Sequence, residues 1–233
     1  MENEKGKINN IFIESCGEGY LQYAKSIINR FEIDITVIHE AFHLACNYGH
    51  IETAKWLIDL GENREYDKIN VHTLIEFSFQ CACTNGHTEL AKWLINLEQN
   101  KGYRKLNIHI FNEDIFKWTC INGHLETAQW LINLGQDENY GKIDIHVFND
   151  SIFRNTCING QIEVAKMLVD LGENKGYGRI NIHVNKESVF RNACENNHIE
   201  MAKWLIDLGE NQGYGQINSR LINKYREKFE NIF

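Results

Sequence analysis

Apolar side chains recur along this chain with the spacing of short amphipathic helices. Leu125, Ala128, Leu131 and Ile132 lie at i, i+3, i+6 and i+7, which places them on one face of a helix. The pattern predicts a helix over residues 124–134 with one buried face.

A shorter helix is predicted immediately before this one. Within residues 114–121, Phe116 and Cys120 are four positions apart and share a helix face. Asn112 is a residue type that commonly caps helix N-termini, and Gly123 is a type that tolerates the left-handed backbone at a helix end. We therefore expect two antiparallel helices joined by a turn at Gly123.

The predicted helix pair recurs every 37 residues. One cysteine keeps this step at Cys46, Cys83, Cys120, Cys157 and Cys194. Phenylalanine keeps it at Phe42, Phe79, Phe116, Phe153 and Phe190. The turn position holds Gly49, Gly86, Gly123, Gly160 and Asn197. A repeat of this length predicts units that stack on copies of themselves.

A polar segment connects each helix pair to the next. The second helix is expected to end at Gly135, and the equivalent position holds Gly61, Gly172 and Gly209. Residues 143–146 read Ile-Asp-Ile-His and alternate apolar with polar side chains, as an extended strand does. The segment is therefore predicted to protrude as a loop or a hairpin.

The period predicts that residues 1–233 form a single solenoid. Its predicted units are residues 8–33, 36–72, 73–109, 110–146, 147–183 and 184–218. Residues 219–232 carry an apolar stripe and basic side chains, which predicts an amphipathic helix. This helix would either close the stack or dock a partner.

These repeats resemble the ankyrin repeat family. Residues 41–61 read AFHLACNYGHIETAKWLIDLG, which is similar to that family's TPLHLAA helix, GH turn and leucine-rich second helix. The family's Thr-Pro pair is missing from every unit, and its repeat is shorter, at about 33 residues. The resemblance implies an all-α, ankyrin-like helix-turn-helix solenoid with protruding loops or hairpins. The chain is similar in particular to the long-loop, proline-poor ankyrin proteins of giant DNA viruses.

The same resemblance implies a function in recognition. Ankyrin repeats serve as scaffolds or adaptors, so we expect a monomer that binds another protein through its concave face and loops. No phosphate-binding loop, dinucleotide fingerprint, HExxH or GxSxG motif is present, so neither catalysis nor a cofactor is expected.

Composition narrows the partners further. The net charge of −8 argues against general nucleic-acid binding, which needs a basic surface. No apolar run approaches the roughly 18 residues of a membrane span, and residues 1–10 lack a signal-peptide core. The cysteines are expected to be small buried thiols of an intracellular, cytoplasmic protein, in the host cell if the protein is viral, and not disulfides or metal ligands.

The candidate binding residues lie on the loops and first helices. The loop-tyrosine row comprises Tyr66, Tyr103, Tyr140, Tyr177 and Tyr214. Basic residues follow it on the loops at Lys105, Lys142 and Arg179, and on the first helices at Lys117, Arg154 and Arg191. Aromatic and cationic side chains together are typical of interface hot spots. The alternatives are that each tyrosine packs on the neighbouring loop, or that the loop cations bind an anionic polymer such as nucleic acid.

Histidine also recurs in two rows. The turn row is His50, His87, His124 and His198, which the family resemblance implies to support the turn by hydrogen bonding. The loop row is His72, His109, His146 and His183. The loop histidines are either polar surface residues or contacts that respond to pH.

Overall fold

The computed structural model describes residues 2–63, 71–101 and 105–228. These residues form thirteen α-helices and no β-strand, as the all-helical expectation requires. The first compact unit, unit one, spans Met1–Ile108, and the second, unit two, spans His109–Phe233.

Unit one contains six helices. They are α1 (Glu2–Gly17), α2 (Leu21–Ile28), α3 (Ile35–Asn47), α4 (Ile51–Asn63), α5 (Val71–Thr84) and α6 (Thr88–Lys101). Helix α3 packs against α1 on one side and α5 on the other, and each first helix also packs against the second helix of its pair. The first helices therefore form one layer and the second helices another.

Unit two contains seven helices. They are α7 (Ile110–Ile121), α8 (Leu125–Leu134), α9 (Val147–Ile158), α10 (Ile162–Asn174), α11 (Val184–Glu195), α12 (Ile199–Asn211) and α13 (Ser219–Lys228). Helix α9 packs between α7 and α11, so unit two repeats the layering of unit one. The predicted terminal helix is described as far as Lys228, and its Tyr225 is buried.

The periodic apolar residues form the core of both units. Solvent hardly reaches the phenylalanines at the 37-residue step, which are Phe42, Phe79, Phe116, Phe153 and Phe190. Phe12 holds the equivalent place in the first helix pair. Burial of one such side chain contributes about 1.5–3 kcal/mol. The cysteines at the 37-residue step are buried beside them, as predicted, together with Cys16.

The turn between paired helices has the predicted left-handed backbone. Gly123 has φ +84° and Gly160 has φ +72°. Asn197, which replaces glycine in the last repeat, also adopts a positive φ of 61°. The turn position therefore requires a residue that tolerates a left-handed backbone.

Two local predictions are wrong. Asn112 does not cap α7, because Phe111, Asn112 and Glu113 all have left-handed φ angles and only the residues after them are right-handed helix. The strand expected at residues 143–146 is also absent from the described structure, although Ile143 and Ile145 are buried as the alternation predicted. Residues 111–113 form a left-handed turn within the range of α7, and the irregular segment 143–146 is hydrogen-bonded to it through Glu113.

Of the glycines predicted to end the second helices, Gly135 does so, since α8 ends at Leu134, but three others do not. Helices α4, α10 and α12 continue past Gly61, Gly172 and Gly209. A Cβ atom on Gly172 would lie 2.5 Å from the carbonyl oxygen of Gly178, and one on Gly209 would lie 2.4 Å from that of Gly215. Glycine is needed there because the loop backbone packs directly on the helix.

Gly172→Ala is therefore expected to destabilise the protein, by about 1–3 kcal/mol, since the new methyl group overlaps the Gly178 carbonyl. Gly6→Ala is the control, because Gly6 is also helical and a Cβ there meets nothing within 4 Å. It should stabilise by about 0.5–1 kcal/mol. Denaturant unfolding of both variants compares them. A change of the same sign in the two would refute the packing role.

Gly123→Val should destabilise more than Gly123→Asn, because a β-branched residue is strained at φ +84° whereas asparagine tolerates this region. Both substitutions displace the flexible end of Gln161, whose Oε1 lies 2.2 Å from the ideal Cβ position. The contact is therefore common to both variants, and the difference in unfolding free energy reports the backbone. Equal stability of the two variants would contradict the assigned conformation.

Candidate partner-binding face

Unit two carries three tip turns, which lie near the start of α7, α9 and α11, before the right-handed part of each helix. They comprise residues 111–113, 148–150 and 185–187, and their φ angles lie between +49° and +67°. Each left-handed, non-glycine residue costs roughly 1–2 kcal/mol, so three in succession must be held by other contacts.

A histidine and a carboxylate supply those contacts. The Nδ1 atom of His109 lies 2.8 Å from Oε1 of Glu113, and its Nε2 atom lies 2.7 Å from the carbonyl oxygen of Tyr140 in the next repeat. Oε1 of Glu113 also accepts a hydrogen bond from the backbone N–H of Asp144, at 3.0 Å. We call this arrangement a clamp, because it ties the tip turn to the loop that follows the second helix α8.

The clamp occurs three times in unit two. His146 pairs with Asp150 and faces the carbonyl oxygens of Tyr177 and Gly178, and His183 pairs with Glu187 and faces that of Tyr214. Asp150 accepts the N–H of Asn181 at 2.9 Å, as Glu113 accepts that of Asp144. Of the loop histidines, His109, His146 and His183 are therefore connecting residues, while the side chain of His72 lies outside the described ones.

The clamp changes the acid–base properties of its histidines. Burial alone would lower the pKa of His109, but hydrogen bonds to Glu113 and to the Tyr140 carbonyl raise it above the ordinary value of 6.5. The pKa of His146 and the pKa of His183 are raised in the same way, with Asp150 and Glu187 as the partners.

Two tip turns present an aromatic side chain to solvent. Phe111 is 76% exposed and Phe148 is 62% exposed, and Asn185 takes the equivalent position in the third tip turn. Sequence reasoning missed both residues. The available signal was phenylalanine at one position in two adjacent repeats, which a burial pattern cannot distinguish from core.

The first-helix cations lie beside the tips. Arg154 donates to the carbonyl oxygen of Asn149, and Arg191 donates to that of Asn185, at 2.9 and 3.2 Å. Lys117 pairs with Asp114 at 2.8 Å. Because serine replaces Asp114 at the equivalent positions 151 and 188, Arg154 and Arg191 have no such carboxylate beside them.

The loop tyrosines pack against cations of the preceding loop. Lys142 Nζ lies 3.9 Å from the ring centre of Tyr177, and the guanidinium of Arg179 lies 3.9 Å from that of Tyr214. Tyr140 and Tyr214 are only 9% and 8% exposed. Tyr177 remains partly exposed, and its hydroxyl accepts a hydrogen bond from the Gln136 side chain.

The other predicted binding residues are in unit one. Lys105 is exposed, whereas Tyr66 and Tyr103 lie outside the described residues. A partner role for the loop-tyrosine row stays a prediction.

The turn histidines connect neighbouring repeats. The Nε2 atom of His87 lies 3.0 Å from the carbonyl oxygen of Asn47, so the ring N–H donates to the end of the preceding first helix. The same ring covers Gly49, whose added Cβ would lie 2.6 Å from Nδ1. This geometry agrees with the supporting role implied by the family resemblance.

The thiols show no chemistry of a reactive site. Burial raises the pKa of Cys16 to about 12 and also raises the pKa of Cys46 and of Cys83. Among the residues that the structure describes, no cluster of three histidine, cysteine or acidic side chains could hold a metal ion.

Comparison with known families agrees with this architecture. The family model for ankyrin repeats, in windows of three copies, matches residues 12–105, 42–142, 79–178 and 117–218. The chain belongs to the ankyrin repeat family. Members of this family are generally protein-interaction modules, and no curated protein matches the chain. No helix in the described ranges is both long and apolar enough to span a lipid bilayer.

Tyr214→Ala is expected to cost about 3 kcal/mol of stability, because the buried ring and its contact with Arg179 are lost. Tyr177→Ala should cost only about 1 kcal/mol, since this ring is partly exposed and loses mainly its contact with Lys142. Denaturant melts followed by circular dichroism compare the two. Equal losses would show that burial does not distinguish these tyrosines.

Proposed function

We propose that this ankyrin-repeat chain recognises an acidic segment of another protein through the tip face of unit two. The tip face comprises the exposed Phe111 and Phe148 together with Lys117, Arg154 and Arg191. The observation that carries the proposal is the exposure of two aromatic rings on clamped turns beside arginines that donate to the turn carbonyls.

Exposed aromatic rings on fixed backbone favour binding. A large ring presented by a rigid turn loses little conformational entropy when it is covered by a partner. Aromatic and arginine side chains are also the residue types most enriched among interface hot spots. Each phenylalanine therefore offers an apolar anchor that the protein itself leaves exposed.

Charge favours an acidic partner. The carboxylates of Glu113, Asp150 and Glu187 are paired with histidines, so they add little negative field to the tip face. Exposed glutamates lie instead on the second helices, where Glu163 and Glu200 pair with lysines three residues later. Because charge acts locally, within about 8 Å at physiological salt, the tip face can attract acidic residues despite the net charge of −8.

The loop cations have a supporting part in this proposal. Lys142 and Arg179 stack on tyrosines and donate to the carbonyl oxygens of Gly176 and Gln212. These contacts therefore join neighbouring loops. Within the loop-tyrosine row, Tyr177 has a partly exposed ring that a partner could also contact. A role as an intracellular adaptor of the giant-virus type is part of the proposal, supported by the long repeat and the buried thiols.

Binding to peptides tests the tip face directly. Peptides selected against the full chain from a random display library should be acidic and carry apolar residues. The double variant Phe111→Ser/Phe148→Ser should bind them more weakly by about 2 kcal/mol or more, roughly 30-fold, by calorimetry. Tyr48→Ser is the matched control, because Tyr48 is 56% exposed in unit one, and it should bind like the unaltered chain.

Two results would oppose the proposal. Peptides that bind the double variant as tightly as the unaltered chain would place recognition elsewhere. A single-stranded oligonucleotide that binds with a steep salt dependence, and loses affinity in Arg154→Glu/Arg191→Glu, would favour an anionic polymer instead. For an acidic peptide, the same charge reversal should mainly slow association.

A further inference from the structure

Both ring nitrogens of each clamp histidine face hydrogen-bond acceptors. The Nδ1 atom of His109 faces a carboxylate, and its Nε2 atom faces the Tyr140 carbonyl oxygen, which has no hydrogen to donate. Oε1 of Glu113 also accepts the N–H of Asp144, so the carboxylate acts as an acceptor in each contact. His146 and His183 have the same surroundings.

A neutral imidazole cannot satisfy this arrangement. It carries one N–H donor and one nitrogen lone pair, so one of its two nitrogens would face an acceptor lone pair with its own. The imidazolium form donates from both nitrogens. From this geometry we infer that His109, His146 and His183 are held as imidazolium ions and that their deprotonation uncouples each tip turn from the loop that follows the second helix of its repeat.

The neighbouring charges leave this assignment intact. The segment packed on His109 contains Lys142 and Asp144. Lys142 turns to Tyr177, and Oδ1 of Asp144 accepts the backbone N–H of His146. The segment packed on His146 contains Arg179, which turns to Tyr214, and Asn181 replaces the aspartate. The segment packed on His183 carries the neutral Gln216 and Asn218 in the corresponding places. The nearest opposite charge is therefore the clamp's own carboxylate.

The direction of the pH effect follows from the raised pKa of each clamp histidine. A group whose pKa is higher in the folded protein stabilises it fully below the unfolded value, which is 6.5 for histidine. That contribution is lost as pH rises through the folded value. The clamps are therefore closed below about pH 6.5, and they weaken as the pH rises through the raised folded value.

The two acceptor carboxylates provide separate local reporters. Asp144 N–H donates to Glu113 of the His109 clamp, and Asn181 N–H donates to Asp150 of the His146 clamp. Amide exchange at each residue, expressed as a protection factor, measures opening of one clamp. Protection of both should fall as pH rises from 6.5 to about 9, while nitrogen NMR of the full chain shows both ring nitrogens protonated at pH 6.5.

His146→Gln is the decisive variant. Glutamine does not titrate here, so protection of Asn181 should lose its pH dependence, while protection of Asp144 keeps it. His109→Gln should do the reverse. His198→Gln is the matched control, because Gln161 already fills the same turn position one repeat earlier, and it should leave both reporters unchanged.

The outcomes separate clearly. A ring with one unprotonated nitrogen at pH 6.5 would overturn the assignment, as would the same pH dependence of Asn181 protection with and without His146. Asp150→Asn supplies an independent check. It keeps an acceptor oxygen but removes the charge, so His146 should become neutral at lower pH. A lower affinity for acidic peptides above the folded pKa of the histidines would be a further consequence. This last expectation alone rests on the proposed function.

Discussion

Each repeat of this chain can bury its apolar face only against the repeats beside it, and the rest of the structure depends on that contact. Buried phenylalanines, alanines and cysteines keep identical positions in successive helix pairs, so the layers fit at a constant spacing. Close contact also dictates small residues. Gly172 and Gly209 admit the loop backbone onto the second helices, where a side chain would collide with a carbonyl oxygen. The 37-residue period thus reflects the close packing between successive helix pairs as well as the length of each repeat.

Stacking at this distance leaves backbone polar groups between repeats that need partners. The turn histidine bonds one such group, since the ring N–H of His87 donates to the Asn47 carbonyl at the end of the preceding first helix. The clamp satisfies others, because one histidine and one carboxylate together bond the carbonyl of Tyr140 and the N–H of Asp144. These bonds oppose the cost of a left-handed tip turn. Phe111 lies on this turn and is exposed, so the clamp also fixes the backbone of the proposed tip face.

The periodic core and the helix-turn-helix pairs could be predicted from sequence, because apolar spacing and turn glycines report local backbone preferences. The end of α8 at Leu134 and the left-handed Gly123 show this directly. The tip turns could not be predicted, since Asn112 is a residue type common at helix caps and the contacts that hold the turn involve the distant Tyr140 and Asp144. The burial of Tyr140 and the exposure of Phe111 could not be predicted either, because both depend on which neighbouring residues cover the ring. Aromatic identity alone indicates neither outcome.

We propose that a partner binds the tip face of unit two, and backbone NMR of the full chain, titrated with an acidic peptide that carries an aromatic residue, detects such binding residue by residue. Shift changes should concentrate at residues 111–118, 148–155 and 185–191. Changes confined to the second helices α8, α10 and α12, with the tip turns unaffected, would contradict it.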